Sequence, residues 1–175
     1  EIYTLSLHDA LPIYELCREW EALAQGAEDK GARVVIMRLA VVLGKAGGAL
    51  QSMRLPFQLG LGGPIGKGRQ WFPWIHLADL VAAAQFLLNC ESCHGPFNCS
   101  APEAVRQIEF ARTLAAQLGR PAFFPAPAPL MRLALGEFGQ SLLQGQKVLP
   151  RALEEKGFVF SYPKLEQALR DLLHR

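Results

Sequence analysis

Residues able to do chemistry crowd into one stretch of the chain: Arg69, Trp71, Trp74, His76 and Asp79 fall within eleven positions. Arg69 follows a glycine-flanked basic turn, Gly66-Lys67-Gly68. A guanidinium on such a loop suits a carboxylate or a phosphate, because its fork of donors matches their geometry. Trp71 and Trp74 bracket Pro73, and two indoles at that spacing could wall a substrate ring, although Trp more commonly buries area. His76 and Asp79 sit at a strand-to-helix corner. The histidine is either structural or ligand-facing, and the carboxylate suits the positive end of the following helix, where it can accept orphan backbone N–H groups. Two further cations join the candidates. Arg38 closes an apolar strand, at the end where α/β sheets place ligands, and a charge there must be paired or meet an anion. Lys45 lies on a glycine-rich loop, Gly44 to Gly48.

A second set of reactive residues is Cys90-x-x-Cys93-His94, with Cys99 close behind. The spacing fits haem attachment, zinc or redox work. The segment also lies where an apolar helix ends and a strand begins, so plain connecting structure is the favoured reading and no metal site is expected. A third is Tyr14-Glu15-Leu16-Cys17-Arg18. It imitates Tyr-x-x-x-Lys, in which a lysine lowers the tyrosine pKa for acid/base work. Arginine does not reproduce an ammonium, and no catalytic residue is assigned.

The elements that must position these groups alternate. Apolar residues recur at helical spacing over 14–30, with Trp20 expected in the core, and Gly31 stops the helix. Residues 33–39 form a near-continuous β-branched run, the pattern of a parallel strand buried on both faces. A glycine-rich loop leads into a helix over 49–59 that Pro56 should break or kink. Residues 60–66 are a second loop. A helix follows over 80–88, a short strand over 95–100, and an amphipathic helix over 104–118 ended by Gly119. Residues 121–129 are proline-rich and extended, a rigid connector. Helices are expected over 130–143, 150–156 and 165–173, with a short aromatic strand over 158–160. The fold class is therefore α/β: residues 14–120 read as the C-terminal part of a doubly wound, Rossmann-like parallel sheet, and residues 125–175 as a small, mostly helical appendage.

Residues 1–13 fit neither a secretory signal nor a helix start. They are expected to be non-native, a translated sequencing-adapter remnant, with the native gene extending upstream.

Composition narrows the partners. Half of the 175 residues are hydrophobic, enough for a core, and a formal charge of +2 argues for neither nucleic acid nor a membrane surface. No apolar run reaches the ~18 residues of a membrane span. The absence of a targeting pattern gives a cytoplasmic expectation.

Several motifs occur in the order found in a known family. They are Cys17-Arg18-Glu19-Trp20-Glu21, then Arg38-Leu39-Ala40-Val41-Val42-Leu43-Gly44-Lys45, then Pro56-Phe57-x-Leu59-Gly60-Leu61-Gly62-Gly63-Pro64. Trp71-Phe72-Pro73-Trp74-Ile75-His76-Leu77-Ala78-Asp79-Leu80, Gly145-Gln146-x-Val148-Leu149-Pro150 and Gly157-Phe158-x-Phe160-x-Tyr162-Pro163 complete the set. Together they resemble the extended short-chain dehydrogenase/reductases, and more closely their atypical SDR39U1-like epimerase-family group. The resemblance implies an NADP- or NAD-dependent epimerase or dehydratase-like oxidoreductase acting on a small, possibly nucleotide-linked substrate. It also implies that the phosphate-binding strand-Gly-x-x-Gly-x-x-Gly-helix unit belongs to a missing N-terminal half. This chain would then supply the substrate side through Arg38, Lys45, Arg69, Trp71, Trp74 and His76, and would be inactive alone. The competing reading is a non-catalytic scaffold that binds or regulates a partner.

Overall fold

The computed structural model describes residues 7–120 and 145–174, with side chains placed from Tyr14 onward. Helix α1 spans Leu7–Gln25, and a 3-10 turn at Glu28–Lys30 follows it. The helix thus begins seven residues before the expected start and ends five residues before the expected stop, inside the span that periodicity assigns to one helix. Gly31, at φ 81°, closes the turn by donating to the Glu28 carbonyl, a conformation that glycine adopts without a Cβ penalty. Trp20 is 63% exposed and Leu23 77%, which corrects the expectation that Trp20 is core. Helical spacing puts these residues on one stripe, but a facing layer decides burial, and the described elements do not cover this one.

Strand β1, Val35–Leu39, pairs in parallel with β5, Gly95–Cys99, in the register Val35 to Gly95 through Leu39 to Cys99. It is half-buried at first and exposed at Arg38 and Leu39, rather than buried on both faces as its composition suggests. Arg33 lies outside the strand. Its guanidinium donates to the carbonyls of Leu87 (3.0 Å), Leu88 (2.8 Å) and Cys93 (3.1 Å), satisfying carbonyls that a helix end leaves without intrahelical partners.

Strand β2, Val41–Leu43, pairs in parallel with β4, Trp74–His76. Parallel pairs need crossovers, and helices α2 (Ala49–Gln58) and α3 (Leu77–Asn89) lie in them. Pro56 lies within the last turn of α2 and does not interrupt it. A two-residue antiparallel ladder joins β3, Trp71–Phe72, to β6, Val105–Arg106. Helix α4 is therefore Gln107–Gln117, shorter than the amphipathic pattern suggests, because Val105 belongs to β6. Single bonds link the ladders: Ala40 N–H to the Cys99 carbonyl (3.1 Å) and Ala101 N–H to the Trp74 carbonyl (2.6 Å).

Two short helices end the described chain, α5 at Arg151–Glu155 and α6 at Leu165–His174. Residues 158–160 are not a strand. Phe158 instead packs against Phe86 (5.5 Å between centroids) and edge-on against Phe160 (4.8 Å), while Val159 is exposed. The expected proline-rich connector and the helix over 130–143 lie outside the described residues.

Among the described residues, α5 and α6 share their buried clusters with the sheet region. Leu165, Leu169 and Leu172 of α6 join Leu43, Phe57, Phe72, Trp74, Phe110 and Leu114 in one buried cluster. Leu153 of α5 joins Ile75, Leu87, Phe97 and Cys99 in a second. Side chains of the sheet region also fasten the returning backbone. Asn98 Nδ2 donates to the Leu149 carbonyl (3.3 Å) and Ser100 Oγ to the Val148 carbonyl (3.4 Å). Glu103 accepts from Leu165 N–H (2.6 Å). No helix among the described residues is long and apolar enough to cross a membrane.

Candidate functional site

The C-terminal ends of parallel strands are where α/β sheets gather ligand-binding loops. Three such ends carry candidate residues here.

At the end of β1, Arg38 is committed. Its Nε and Nη2 donate to the two carboxylate oxygens of Glu21 on α1, at 2.7 and 2.6 Å. This bidentate pairing holds the Glu21 carboxyl below its ordinary range. Nearby on α1, Tyr14 is exposed, and the Arg18 guanidinium stands 5.8 Å from its ring centroid.

At the end of β2, the loop 44–48 carries Lys45, exposed, into α2. Gly48 caps that helix at φ 72° and ψ −155°, a region open to glycine and costly for any other residue. An open surface lies along α2, lined by Gly48, Gln51, Ser52, Arg54, Leu55 and Gln58. The second glycine loop differs. A Cβ on Gly62 would come within 2.2 Å of the Phe57 ring, and one on Gly68 within 2.8 Å of Ile108. Those glycines admit close internal packing rather than a ligand.

At the end of β4, His76 caps α3. Its Nδ1 accepts the Ala78 N–H at 3.0 Å, so the neutral ring carries its proton on Nε2. Nε2 points toward Asp171 Oδ2 at 3.5 Å, an electrostatic contact too long for a good hydrogen bond. The imidazole is 4% exposed and stacks on Tyr162, 3.9 Å between centroids at 22°. Burial lowers the His76 pKa and outweighs the opposing pull of Asp171 and Asp79. Asp79, 1% exposed, accepts from Ser161 N–H (2.8 Å) and Tyr162 N–H (2.9 Å). The carboxylate expected to serve its own helix N-terminus thus clamps the returning C-terminal segment, and His76 takes the cap instead.

A prediction follows from the histidine. Its folded-state pKa lies below the unfolded value near 6.5, so the unfolded chain binds the proton more readily and stability rises with pH. The His76 contribution is fully present above about pH 6.5 and is lost as pH falls below it. Thermal midpoints measured from pH 8 to 5 should decline below that point. In His76→Asn, which can still cap the helix, the decline should be shallower; an unchanged profile would assign the dependence to other groups.

Trp74 is 1% exposed, and its Nε1 donates to the Glu103 carbonyl at 3.1 Å. Trp71 remains half-buried. The Arg106 guanidinium lies 3.5 Å from its ring centroid, and Lys147 Nζ lies 5.0 Å from it. Arg69 is exposed, and its carbonyl accepts from Arg106 Nη1 at 2.6 Å. The structure thus gathers Arg69 and Trp71 on one corner, buries Trp74 and His76, and engages Arg38 with α1. Arg106 and Lys147 escape a reading of the sequence. Arg106 meets Trp71 only through the antiparallel register, and Lys147 reaches it from far along the chain. Among the described residues no cluster of His, Cys, Asp and Glu could hold a metal ion.

A solved human structure shares this fold. Human epimerase family protein SDR39U1 (isoform 2), solved with NADPH, superposes with a TM-score of 0.76 at 44% identity, over 81% of this chain and 48% of the human one. Mouse SDR39U1 is 46% identical over 159 residues, 90% of this chain and 54% of its own length. An epimerase family protein of Staphylococcus aureus is 44% identical over 173 residues, 99% of this chain and 57% of its own length. This chain belongs to the epimerase family. Its residues 126–172 also match a domain described only as of unknown function, DUF1731. The chain spans little more than half the length of the family members it matches. The α/β fold with parallel strands is that of the Rossmann-type epimerases.

Proposed function

We propose that the whole protein is an NAD(P)-dependent, epimerase-like oxidoreductase and that the residues described here form the substrate side of its site. The observation that carries this reading is the glycine loop 44–48, which leaves the C-terminal end of a parallel strand and leads into α2, the place where α/β sheets gather ligands. The likeness to a relative solved with NADPH supports it.

The dinucleotide itself does not fit the described residues. A pyrophosphate cradle needs a glycine turn that opens a helix directly from a strand, with backbone N–H groups aimed at the phosphates. The loop 44–48 is the one described glycine turn between a strand and a helix. It lacks the Gly-x-x-Gly-x-x-Gly spacing, and a Cβ on Gly48 would meet nothing within 4 Å. In the second loop the space at Gly62 and Gly68 is filled by Phe57 and Ile108. No hydride step is therefore routed through this chain. Its own residues would bind and orient substrate: Lys45 from the loop, Gln51, Ser52 and Arg54 from α2, and Arg69 with Trp71 from the β3 corner. Arg38 would act by holding α1 to the sheet.

The test is a fluorescence titration with NADPH. The 175-residue chain should show no saturable binding in the micromolar range, and the chain extended to the full length of its relatives should saturate. Micromolar binding to the shorter chain would overturn the division of labour. A folded, extended chain that does not bind would favour the scaffold reading.

A further inference from the structure

Cys90 and Cys93 are joined as a disulfide, with their Cα atoms 5.3 Å apart. The pair closes the turn between α3 and β5, and the function proposed above makes no use of it. The turn also has backbone bonds of its own. Cys90 N–H donates to the Phe86 carbonyl (3.0 Å) and Cys93 N–H to the Cys90 carbonyl (3.1 Å). These bonds do not depend on the bridge, so the turn can persist with both thiols reduced.

The two sulfurs sit in different surroundings. Cys93 is fully buried, in a cluster with Ile75, Leu87, Phe97 and Leu153. Cys90 lies half-buried at the rim. Its Sγ is 3.6 Å from Ser92 Oγ, and that hydroxyl is 3.5 Å from Lys156 Nζ, which also donates to the Ser92 carbonyl at 3.1 Å. In the reduced pair the Ser92 hydroxyl can donate to a Cys90 thiolate while accepting from the Lys156 ammonium. A nearby cation and a hydroxyl donor favour the thiolate, whereas apolar burial disfavours it at Cys93. The asymmetry matches an attacking thiol at the surface and a resolving thiol beneath it.

We propose that Cys90 and Cys93 form a thiol–disulfide exchange site whose co-reactant is a low-molecular-weight disulfide of the glutathione class. The Cys90 thiolate attacks one sulfur of the disulfide, forming a mixed disulfide and releasing one thiolate. Cys93 gives its proton to that thiolate, attacks Cys90 Sγ and expels the second thiolate, which takes up the proton released when Cys90 ionised. Two protein thiols are oxidised by two electrons, and one disulfide is reduced to two thiols. Reduction runs through the same steps in reverse.

The experiment uses the whole chain, reduced with dithiothreitol, desalted and equilibrated in glutathione buffers of stepped ratio. It is then quenched in acid, alkylated and read by mass spectrometry. The expected result is a Cys90–Cys93 disulfide that rises with the oxidised fraction, with any trapped glutathione adduct on Cys90. At neutral pH, iodoacetamide should modify Cys90 of the reduced chain about tenfold faster than the exposed Cys17. Lys156→Met should slow that reaction several-fold. Two separately alkylatable thiols in the most oxidising buffer would overturn the site. A glutathione adduct trapped on Cys93, or equal rates at Cys90 and Cys17, would overturn the assignment of Cys90 as the attacking sulfur.

Discussion

Trp74→Ala is expected to lower the unfolding free energy by about 4 kcal/mol, the range for emptying a buried aromatic site. The indole is 1% exposed and packs among Leu43, Phe72, Phe110 and Leu169. Its removal leaves a cavity in that cluster and leaves the Glu103 carbonyl without its indole donor. Trp74→Phe retains most of the apolar contact and loses only the hydrogen bond, so about 1–2 kcal/mol is expected. Urea unfolding followed by far-ultraviolet circular dichroism separates the two. If Trp74 served chiefly as a wall for a substrate ring, the alanine variant would unfold close to the parent, and binding alone would suffer.

Asp79→Ala should cost about 3 kcal/mol. The carboxylate is buried and accepts two backbone N–H groups, from Ser161 and Tyr162, more than eighty residues away in sequence. Bonds to a charged acceptor contribute about 1.5–3 kcal/mol each, and two donors left without their acceptor add a desolvation cost. Alanine also frees the segment that holds Tyr162 against His76, so the effect should couple to the histidine. In a double-mutant cycle with His76→Asn, the combined loss should be smaller than the sum of the single losses. Strict additivity would mean that the clamp and the stacked pair act independently.

The parts of this molecule that were legible in the sequence are those set by local pattern. The β-branched run around residues 35–39, the crossover helix after His76 and the α4 amphipathic stripe follow from side-chain periodicity, which depends only on neighbours along the chain. The ends of these elements were less legible. In sequence Val105 continues the apolar stripe of α4, yet it belongs to β6 and pairs with Phe72 of β3, because two residues of strand cannot establish a period. The aromatic run at 158–160 looks like a strand, but Phe158 packs against Phe86 and Phe160 instead of joining a ladder.

The candidate site divides in the same way. Arg69, Trp71, Trp74, His76 and Asp79 were recognisable because reactive types crowd together in sequence. Their roles were not, because each depends on a partner from a distant segment. Glu21 takes Arg38, Arg106 covers Trp71, Glu103 takes Trp74, and the 161–171 stretch takes His76 and Asp79.

By itself the sequence determined the α/β class, the parallel strands and the family, since alternation of helix and strand patterns and a long ordered set of motifs are local properties. Only the tertiary structure decided which charges are spent. A guanidinium, an imidazole or a carboxylate is available to a ligand only when no nearer partner satisfies it, and burial makes that pairing obligatory. Asp79 and His76 were drawn into holding the C-terminal segment and Arg38 into an ion pair, while Lys45, on the loop that leads into α2, was left open to solvent.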